Sequence, residues 1–317
     1  MPRSVENESR LAQDALVANM STDAQLRDDI VEIGRRLWLR GFVASNDGNI
    51  SVRIADDRVL MTPTAVSKGF MAPDMMVITD MDGTLVSGAP GRKPSSEIKM
   101  HLVAYRERPD VRAVVHAHPP LATGFAVAGI PLDRAVLAEV VTTLGSIPIA
   151  EYATPSTQEL PDAVRPYVKV HDGLLLANHG ALALGADLFG AYYKMETIEH
   201  FARISLVARQ LGRENLLSRE EVDRLQGLRG RYGISSPAPI CVDETPGTTA
   251  PGGDASCQVI YAPSAPGDRL VPDTSVAQGA GASPVGTDGE IRLTYAQLTA
   301  LVDDAVKQVT EGLGLKR

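Results

Sequence analysis

The 317-residue sequence contains few cysteines, few aromatic residues and no long apolar run. Cys241 and Cys257 are its two cysteines, and they lack the spacing of a metal site, so we expect free thiols in a reducing compartment. Residues 1–21 contain no apolar core of a signal peptide, and no later segment has the length needed to cross a bilayer. We therefore expect a cytoplasmic protein with no membrane partner.

Positive charge is also in short supply. The chain has 31 Lys and Arg residues against 39 Asp and Glu residues, which gives a net charge of -8. The phosphate backbone of a nucleic acid would be repelled, so we expect no nucleic-acid partner. The hydrophobic fraction of 44% and the charged fraction of 22% are typical of a globular protein.

Composition divides the chain into four regions. Residues 235–290 are rich in Pro, Gly, Ala, Ser and Thr, which predicts a flexible linker because such a segment buries too little surface to offset its ordering entropy. We expect an N-terminal extension over 1–21 and a folded domain over 22–234. Apolar residues at three- and four-residue intervals, after a capping box at Thr294, predict an amphipathic helix over 291–317.

Within the folded domain, helical and strand-like patterns alternate. Helical spacing of apolar residues predicts helices over 22–40, 95–108, 120–128, 157–168 and 188–212. Short apolar runs between turn residues predict strands over 50–54, 58–61, 76–79, 111–118, 174–177 and 181–185. This alternation predicts an α/β fold, a sheet covered by helices, but leaves parallel and antiparallel order open.

Histidines follow two of the predicted strands. His116 and His118 end one apolar run, and alternate residues of a strand point to the same face, so both imidazoles point the same way. His179 ends another run, just before a glycine. Three histidines at strand ends predict a catalytic divalent metal, although a single histidine is more often a packing residue. Zn²⁺ suits imidazole ligands best, and Mn²⁺, Fe²⁺ or Co²⁺ stay open because ligand type does not fix the metal.

Three polar motifs precede the histidines. Gly48-Asn49 and Thr62-Pro63-Thr64 follow the first helix, and Pro94-Ser95-Ser96-Glu97 opens a later one. Taken alone, the first reads as a turn and the last as a helix cap. Two serines at a helix start also offer hydroxyl and N–H donors to an anion.

In this order the motifs resemble the class II aldolase and adducin family, in particular its fuculose-phosphate aldolases, over about residues 24–232. The resemblance implies a three-layer αβα fold with a central mixed, largely antiparallel sheet, and a homotetramer with active sites at subunit interfaces. It also implies site residues by position. The implied metal ligands are His116, His118, His179 and Glu97, with Glu97 also the acid and base, and the implied phosphate-binding residues are Gly48, Asn49, Thr64, Ser95 and Ser96.

The function implied is that of a metal-dependent lyase that cleaves a ketose 1-phosphate to dihydroxyacetone phosphate and a small aldehyde such as lactaldehyde. A pentulose-phosphate 4-epimerase, a dehydratase, a decarboxylase and a noncatalytic adducin-like module are the alternatives. One departure concerns the second proton-transfer residue, because residues 132–141 lack the tyrosine that the fuculose-phosphate enzymes carry there. Glu139 and Tyr232 are the candidates to replace it.

Other polar residues have simpler interpretations. Lys68 could reach a phosphate but reads better as a solvated side chain. His101, one helical turn after Glu97, could orient that carboxylate or could simply pack. The tail helix resembles the encapsulation peptides that recruit enzymes to bacterial microcompartment shells, and docking on its own oligomer is the alternative.

Overall fold

The computed structural model describes residues 23–236 and 238–240. The chain divides into two units, and the described residues all belong to the first. The predicted N-terminal extension, the linker beyond residue 240 with both cysteines, and the predicted amphipathic helix lie outside the described residues.

Eight strands form the middle layer of the fold. They are β1 (Asn49–Ala55), β2 (Arg58–Met61), β3 (Val77–Thr79), β4 (Leu85–Ser87), β5 (Ala113–Ala117), β6 (Ile149–Ala150), β7 (Gly173–Leu176) and β8 (Gly180–Gly185). Their order across the sheet is β4-β3-β2-β1-β5-β8-β7-β6. All neighbours are antiparallel except β6 and β7, which are parallel, so the mixed, largely antiparallel sheet is confirmed.

Seven helices accompany the sheet in the described part of the chain. They are α1 (23–39), α2 (Ile98–Glu107), α3 (Pro120–Val127), α4 (Ala138–Thr143), α5 (Glu159–Val168), α6 (Leu188–Gln210) and α7 (Arg219–Leu228). None of these helices is both long and apolar enough to cross a membrane.

Helices cover both faces of the sheet. Side chains of β5 alternate, so Val115 packs into one apolar cluster with residues of α1, α3 and α6. Val114 packs on the opposite face into a second cluster, with residues of α2 and α5. The three-layer αβα arrangement is thereby confirmed. His116 shares the second face with Val114, which directs its imidazole toward α2.

Four elements did not follow from the patterns. Strands β4 and β6 and helix α4 span only three, two and six residues, which is too short for a periodic signal. Helix α7 begins at a capping box between Ser218 and Glu221. It was not predicted because its sequence is mostly polar and gives no clear apolar periodicity.

Two predicted boundaries differ from the structure. The helix expected from Ser95 begins at Ile98, because Ser95 to Glu97 form a turn in which the Ser95 hydroxyl accepts the Glu97 N–H at 3.3 Å. The chain also stays on the core beyond residue 234. The carbonyl of Pro239 accepts the Ser146 N–H at 2.8 Å, and that of Ala238 accepts Gln226 Nε2 at 2.9 Å.

A buried ion-pair network ties α2 to β7 and α6, and it generates a test of stability. Asp172, whose side chain is 1% exposed, accepts from Arg108 at 3.0 Å and from Lys194. Asp172→Asn removes the buried anion from both cations, so we expect the free energy of unfolding to fall by about 3 kcal/mol in urea denaturation. Glu220→Gln is the control, because its pair with Arg224 is largely exposed. Equal effects of the two substitutions would contradict the assignment.

Candidate metal centre and anion pocket

The antiparallel pair of β5 and β8 positions the first two histidines. His116 lies opposite Asn49 of β1 and Leu182 of β8, and it is completely buried. Its Nδ1 is 2.9 Å from the carbonyl oxygen of Ala181, an acceptor, so Nδ1 carries the proton. In a neutral ring the lone pair is then on Nε2. His118, just past the end of β5, places its own Nε2 3.1 Å from that atom.

The turn between β7 and β8 supplies the third histidine. Asn178 occupies the left-handed region with φ 55°, a conformation that asparagine tolerates, and the chain reverses so that His179 faces the other two. Gly180 is required by close approach. A Cβ on it would lie 2.6 Å from His118 Cδ2 and 2.6 Å from the Ala117 carbonyl oxygen.

The three imidazoles fit a divalent cation. Their ring centroids are 4.8–5.0 Å apart with interplanar angles of 62–66°, and one ring nitrogen of each lies within 4.8 Å of the others. Burial lowers the pKa of His116 to about 3 and also lowers that of His118, so both rings are neutral at physiological pH. Neutral imidazole nitrogens that converge without a proton between them are suitable ligands for a metal ion.

Glu97 lies beside the histidines, at the start of α2. Its carboxylate oxygens are 3.2 Å from His179 Nε2 and 3.5 Å from His116 Nε2, and Asn49 Nδ2 donates to it at 2.8 Å. Burial by itself raises the pKa of Glu97, but the positive charge that His116 or His179 carries when protonated, together with the hydrogen bonds from His179 and the Asn49 amide, lowers it by more, so the net shift is downward. The carboxylate is therefore ionised, and it lies close enough to His116 and His179 to share a cation with them.

Asp47 was not predicted as a site residue. Its carboxylate is 3.4 Å from His118 Nδ1, the ring nitrogen that faces away from His116. Carboxylates in this position fix the orientation of metal-binding imidazoles. The sequence signal that could have identified Asp47 is that it directly precedes Gly48-Asn49. His179 Nδ1, in contrast, is buried and has no hydrogen-bond partner among the described residues.

A pocket of about 230 Å³ adjoins the rings of His118 and His179. All five residues predicted to bind phosphate line it, together with two of the histidines and Glu97; these lining residues are Gly48, Asn49, Thr64, Ser95, Ser96, His118, His179 and Glu97. The structure therefore brings together residues that are up to 131 positions apart in the sequence, from Gly48 to His179. His116 does not line the pocket.

Backbone contacts hold the pocket loops against each other. Pro63 and Pro94 form an isolated bridge, and the Thr64 N–H donates to the Lys93 carbonyl at 3.0 Å. Gly48 has φ 73°, and a Cβ there would lie 2.9 Å from the His116 carbonyl oxygen. Only glycine suits this position, because the loop passes so close to the strand that carries His116.

Lys68 also lines the pocket, which contradicts its interpretation as a solvated side chain. The residue is 1% exposed, and its ammonium donates to the carbonyls of Asn46 and Val66 at 3.1 and 2.7 Å. Burial lowers its pKa to about 8. Neither side-chain type nor spacing separates a buried lysine from an exposed one, so the sequence could not place it.

The remaining candidates lie elsewhere. Glu139 is exposed at the start of α4 and Tyr232 is 66% exposed, and neither lines the pocket of its own chain.

The sequence also matches a known family over most of the described fold. Residues 28–206 match the family described as Class II Aldolase and Adducin N-terminal domain. The chain belongs to the class II aldolase and adducin family. The candidate metal centre and the pocket described above lie within the matched residues.

Several members of the family are similar to this chain. A 3-oxo-tetronate 4-phosphate decarboxylase from Haemophilus influenzae is 30% identical over 58% of this chain and 88% of its own length. A 5-deoxy-D-ribulose 1-phosphate aldolase from Bacillus thuringiensis is 33% identical over 65% and 96%. The crystal structure of an L-fuculose-1-phosphate aldolase from Thermus thermophilus is 29% identical, has a TM-score of 0.54, and covers 61% of this chain and 100% of its own.

Gly180 provides a test of the metal centre. In Gly180→Ala the new Cβ displaces the His118 ring, so we expect the affinity for Zn²⁺ to fall by about 10- to 100-fold in a chelator competition. Gly227→Ala is the matched control, because a Cβ at that helical position meets no atom within 4 Å. Unchanged zinc affinity in Gly180→Ala would show that the rings do not gather around a metal.

Proposed function

We propose that this protein is a metal-dependent lyase that cleaves a carbon–carbon bond of a sugar phosphate. The observation that carries the proposal is that three convergent imidazoles and an ionised Glu97 lie beside the pocket formed by the Gly48, Thr64 and Ser95 loops. The relatives that act on ketose 1-phosphates favour cleavage to dihydroxyacetone phosphate and a small aldehyde of the lactaldehyde type. Zn²⁺ is the proposed metal.

The proposed division of labour follows the chemistry of each group. His116, His118 and His179 hold the cation, which supplies Lewis-acid polarisation of the substrate's carbonyl and hydroxyl oxygens. Glu97 moves the proton between the hydroxyl of the breaking bond and the carbon left behind. Asn49 holds the carboxylate through its 2.8 Å hydrogen bond.

The phosphate is proposed to bind at the other end of the pocket. Ser95 and Ser96 offer hydroxyls and N–H groups at the start of α2, where the helix dipole favours an anion. Gly48, Asn49 and Thr64 complete the donors. Lys68 adds the positive charge, since two of its three ammonium N–H groups bond the loop carbonyls and the third is left for the phosphate.

Decarboxylation is the second candidate. The 3-oxo-tetronate 4-phosphate decarboxylase relative also acts on a phosphorylated substrate, and loss of CO₂ requires the same polarised carbonyl. The products separate the two reactions. Release of an aldehyde from L-fuculose 1-phosphate or 5-deoxy-D-ribulose 1-phosphate supports the aldolase, and release of CO₂ from 3-oxo-tetronate 4-phosphate supports the decarboxylase.

We also propose the oligomer that the family resemblance implies, with the exposed Glu139 or Tyr232 serving the site of a neighbouring subunit. An exposed position away from its own pocket is what such a role requires. Activity recovered on mixing an inactive Glu97→Gln subunit with an inactive Tyr232→Phe or Glu139→Gln subunit supports this arrangement.

Glu97→Gln tests the proton-transfer role. The amide keeps the size and the Asn49 contact but cannot take up a proton, so we expect kcat to fall by about 100-fold or more while the bound zinc stays at one per chain. Steady-state assays with metal analysis measure both. Glu159→Gln, on an exposed carboxylate of α5, is the control. Full turnover by Glu97→Gln would contradict the proposed function.

The lowered pKa of Lys68 leads to a prediction for the pH dependence of kcat/KM. Because burial lowers its pKa to about 8, the ammonium loses its proton as the pH rises through that value, and the phosphate loses a cationic partner. We expect kcat/KM to decline above about pH 8 in the wild type. In Lys68→Met, kcat/KM is expected to be low throughout and to lack this decline. An alkaline decline that survives in Lys68→Met would assign it to another group.

A further inference from the structure

A row of polar side chains crosses the otherwise apolar interface between α2 and β1. Ser51 Oγ lies 2.7 Å from His101 Nδ1 and 2.7 Å from the Tyr105 hydroxyl. Ser51 and His101 are completely buried, and Tyr105 is 2% exposed. We call Ser51, His101 and Tyr105 the seam.

The seam continues the contact that holds Glu97. Asn49 and Ser51 are alternate residues on one face of β1, and Glu97, His101 and Tyr105 recur every four residues on one side of α2. Two strand residues advance about 6.6 Å and four helical residues about 6.0 Å, so the two repeats stay in step. Asn49 therefore meets Glu97 at 2.8 Å, and Ser51 meets His101 one turn later.

Packing alone does not account for these residues. Apolar side chains fill the same face on both sides of the seam, including Ile98, Leu102 and Val114. Buried hydroxyls and imidazoles destabilise unless paired, and His101 Nε2 has no hydrogen-bond partner among the described residues. Hydrogen bonds add a directional restraint. Apolar contacts allow a helix to slide along a strand, whereas a 2.7 Å hydrogen bond opposes that movement.

The charge state of the seam is compatible with a fixed geometry. Burial lowers the pKa of His101 to about 4 and raises that of Tyr105, so both side chains are neutral at physiological pH. Glu97 faces His101 along α2, and Arg53 lies over the Tyr105 ring at 5.0 Å from the other side. The hydrogen bonds of Ser51 therefore persist across the pH range in which the enzyme would work.

We propose that Ser51, His101 and Tyr105 are positioning residues that hold α2 in register on β1 and so hold the Glu97 carboxylate against Asn49 and the histidines. The inference rests on the proposed function, in which Glu97 moves a proton. A slide of α2 by one residue is about 1.5 Å, enough to break the 2.8 Å bond from Asn49. Misplacement of about 1 Å is expected to cost about 100-fold in rate.

Two hydroxyl deletions test the seam. In Ser51→Ala, which removes both seam bonds, we expect kcat to fall about 10- to 100-fold while KM and the zinc content stay within about twofold of wild type. Tyr105→Phe removes one bond and is expected to have a smaller effect in the same direction. Ser205→Ala is the matched control. Like Ser51, Ser205 is a buried serine, 1% exposed, whose hydroxyl makes a side-chain hydrogen bond, but it lies on α6 and donates to Glu214.

A spectroscopic readout separates positioning from general stability. With Co²⁺ in place of Zn²⁺, the visible absorption reports the groups around the metal, so Ser51→Ala is expected to shift it toward the spectrum of Glu97→Gln. Ser205→Ala should leave it unchanged at a comparable loss of thermal stability. If Ser51→Ala does not fold, Tyr105→Phe carries the same comparison.

The outcomes distinguish the two levels of inference. Wild-type kcat and cobalt spectrum in Ser51→Ala and Tyr105→Phe, with Glu97→Gln inactive, would overturn the positioning role alone. Full turnover in Glu97→Gln would overturn the proposed function, and the positioning role with it. A rise in KM with unchanged kcat in the seam variants would also overturn the inference, because it would place the seam's effect on substrate binding.

Discussion

Three imidazoles held within about 5 Å of one another are the constraint on which the rest of this structure depends. Such a cluster is stable only if each ring is fixed and no ring needs a proton. Burial keeps His116 neutral, the Ala181 carbonyl fixes its tautomer, and Asp47 faces the outer nitrogen of His118. The absence of a Cβ at Gly180 leaves the space that the rings require.

The sheet order explains how distant parts of the chain reach this cluster. β1 and β8 flank β5 in the middle of the sheet, so Asn49 and the turn carrying His179 both lie next to His116. Helix α2 then brings Glu97 from outside the sheet. Strand pairing does not fix the position of α2 along β1. At the interface between α2 and β1 the contacts change from apolar side chains to hydrogen bonds.

The sequence predicted what depends on local pattern. The histidine pair on β5, the strand β2 and the long helix α6 follow from periodicities of two and about four residues, and the layers follow from family resemblance. What depends on distant contacts could not be predicted. Only the folded sheet brings the residues of such contacts close together. Examples are the burial of Lys68, the contact of Asp47 with His118 and the hydrogen bond from Asn49 to Glu97. Short elements such as β6 could not be predicted for a different reason, because a strand of two residues shows no periodicity.

The size of the pocket bears on how much of a substrate this chain can enclose by itself. At about 230 Å³ it is smaller than the roughly 300–1,000 Å³ typical of sites that enclose a whole ligand. In the proposed function it would therefore enclose the phosphate and the carbons next to it, and the far end of a sugar phosphate would project beyond the residues of its own chain. A pocket of this size would fix the reacting bond relative to the proposed metal and leave the rest of the substrate to surfaces outside it.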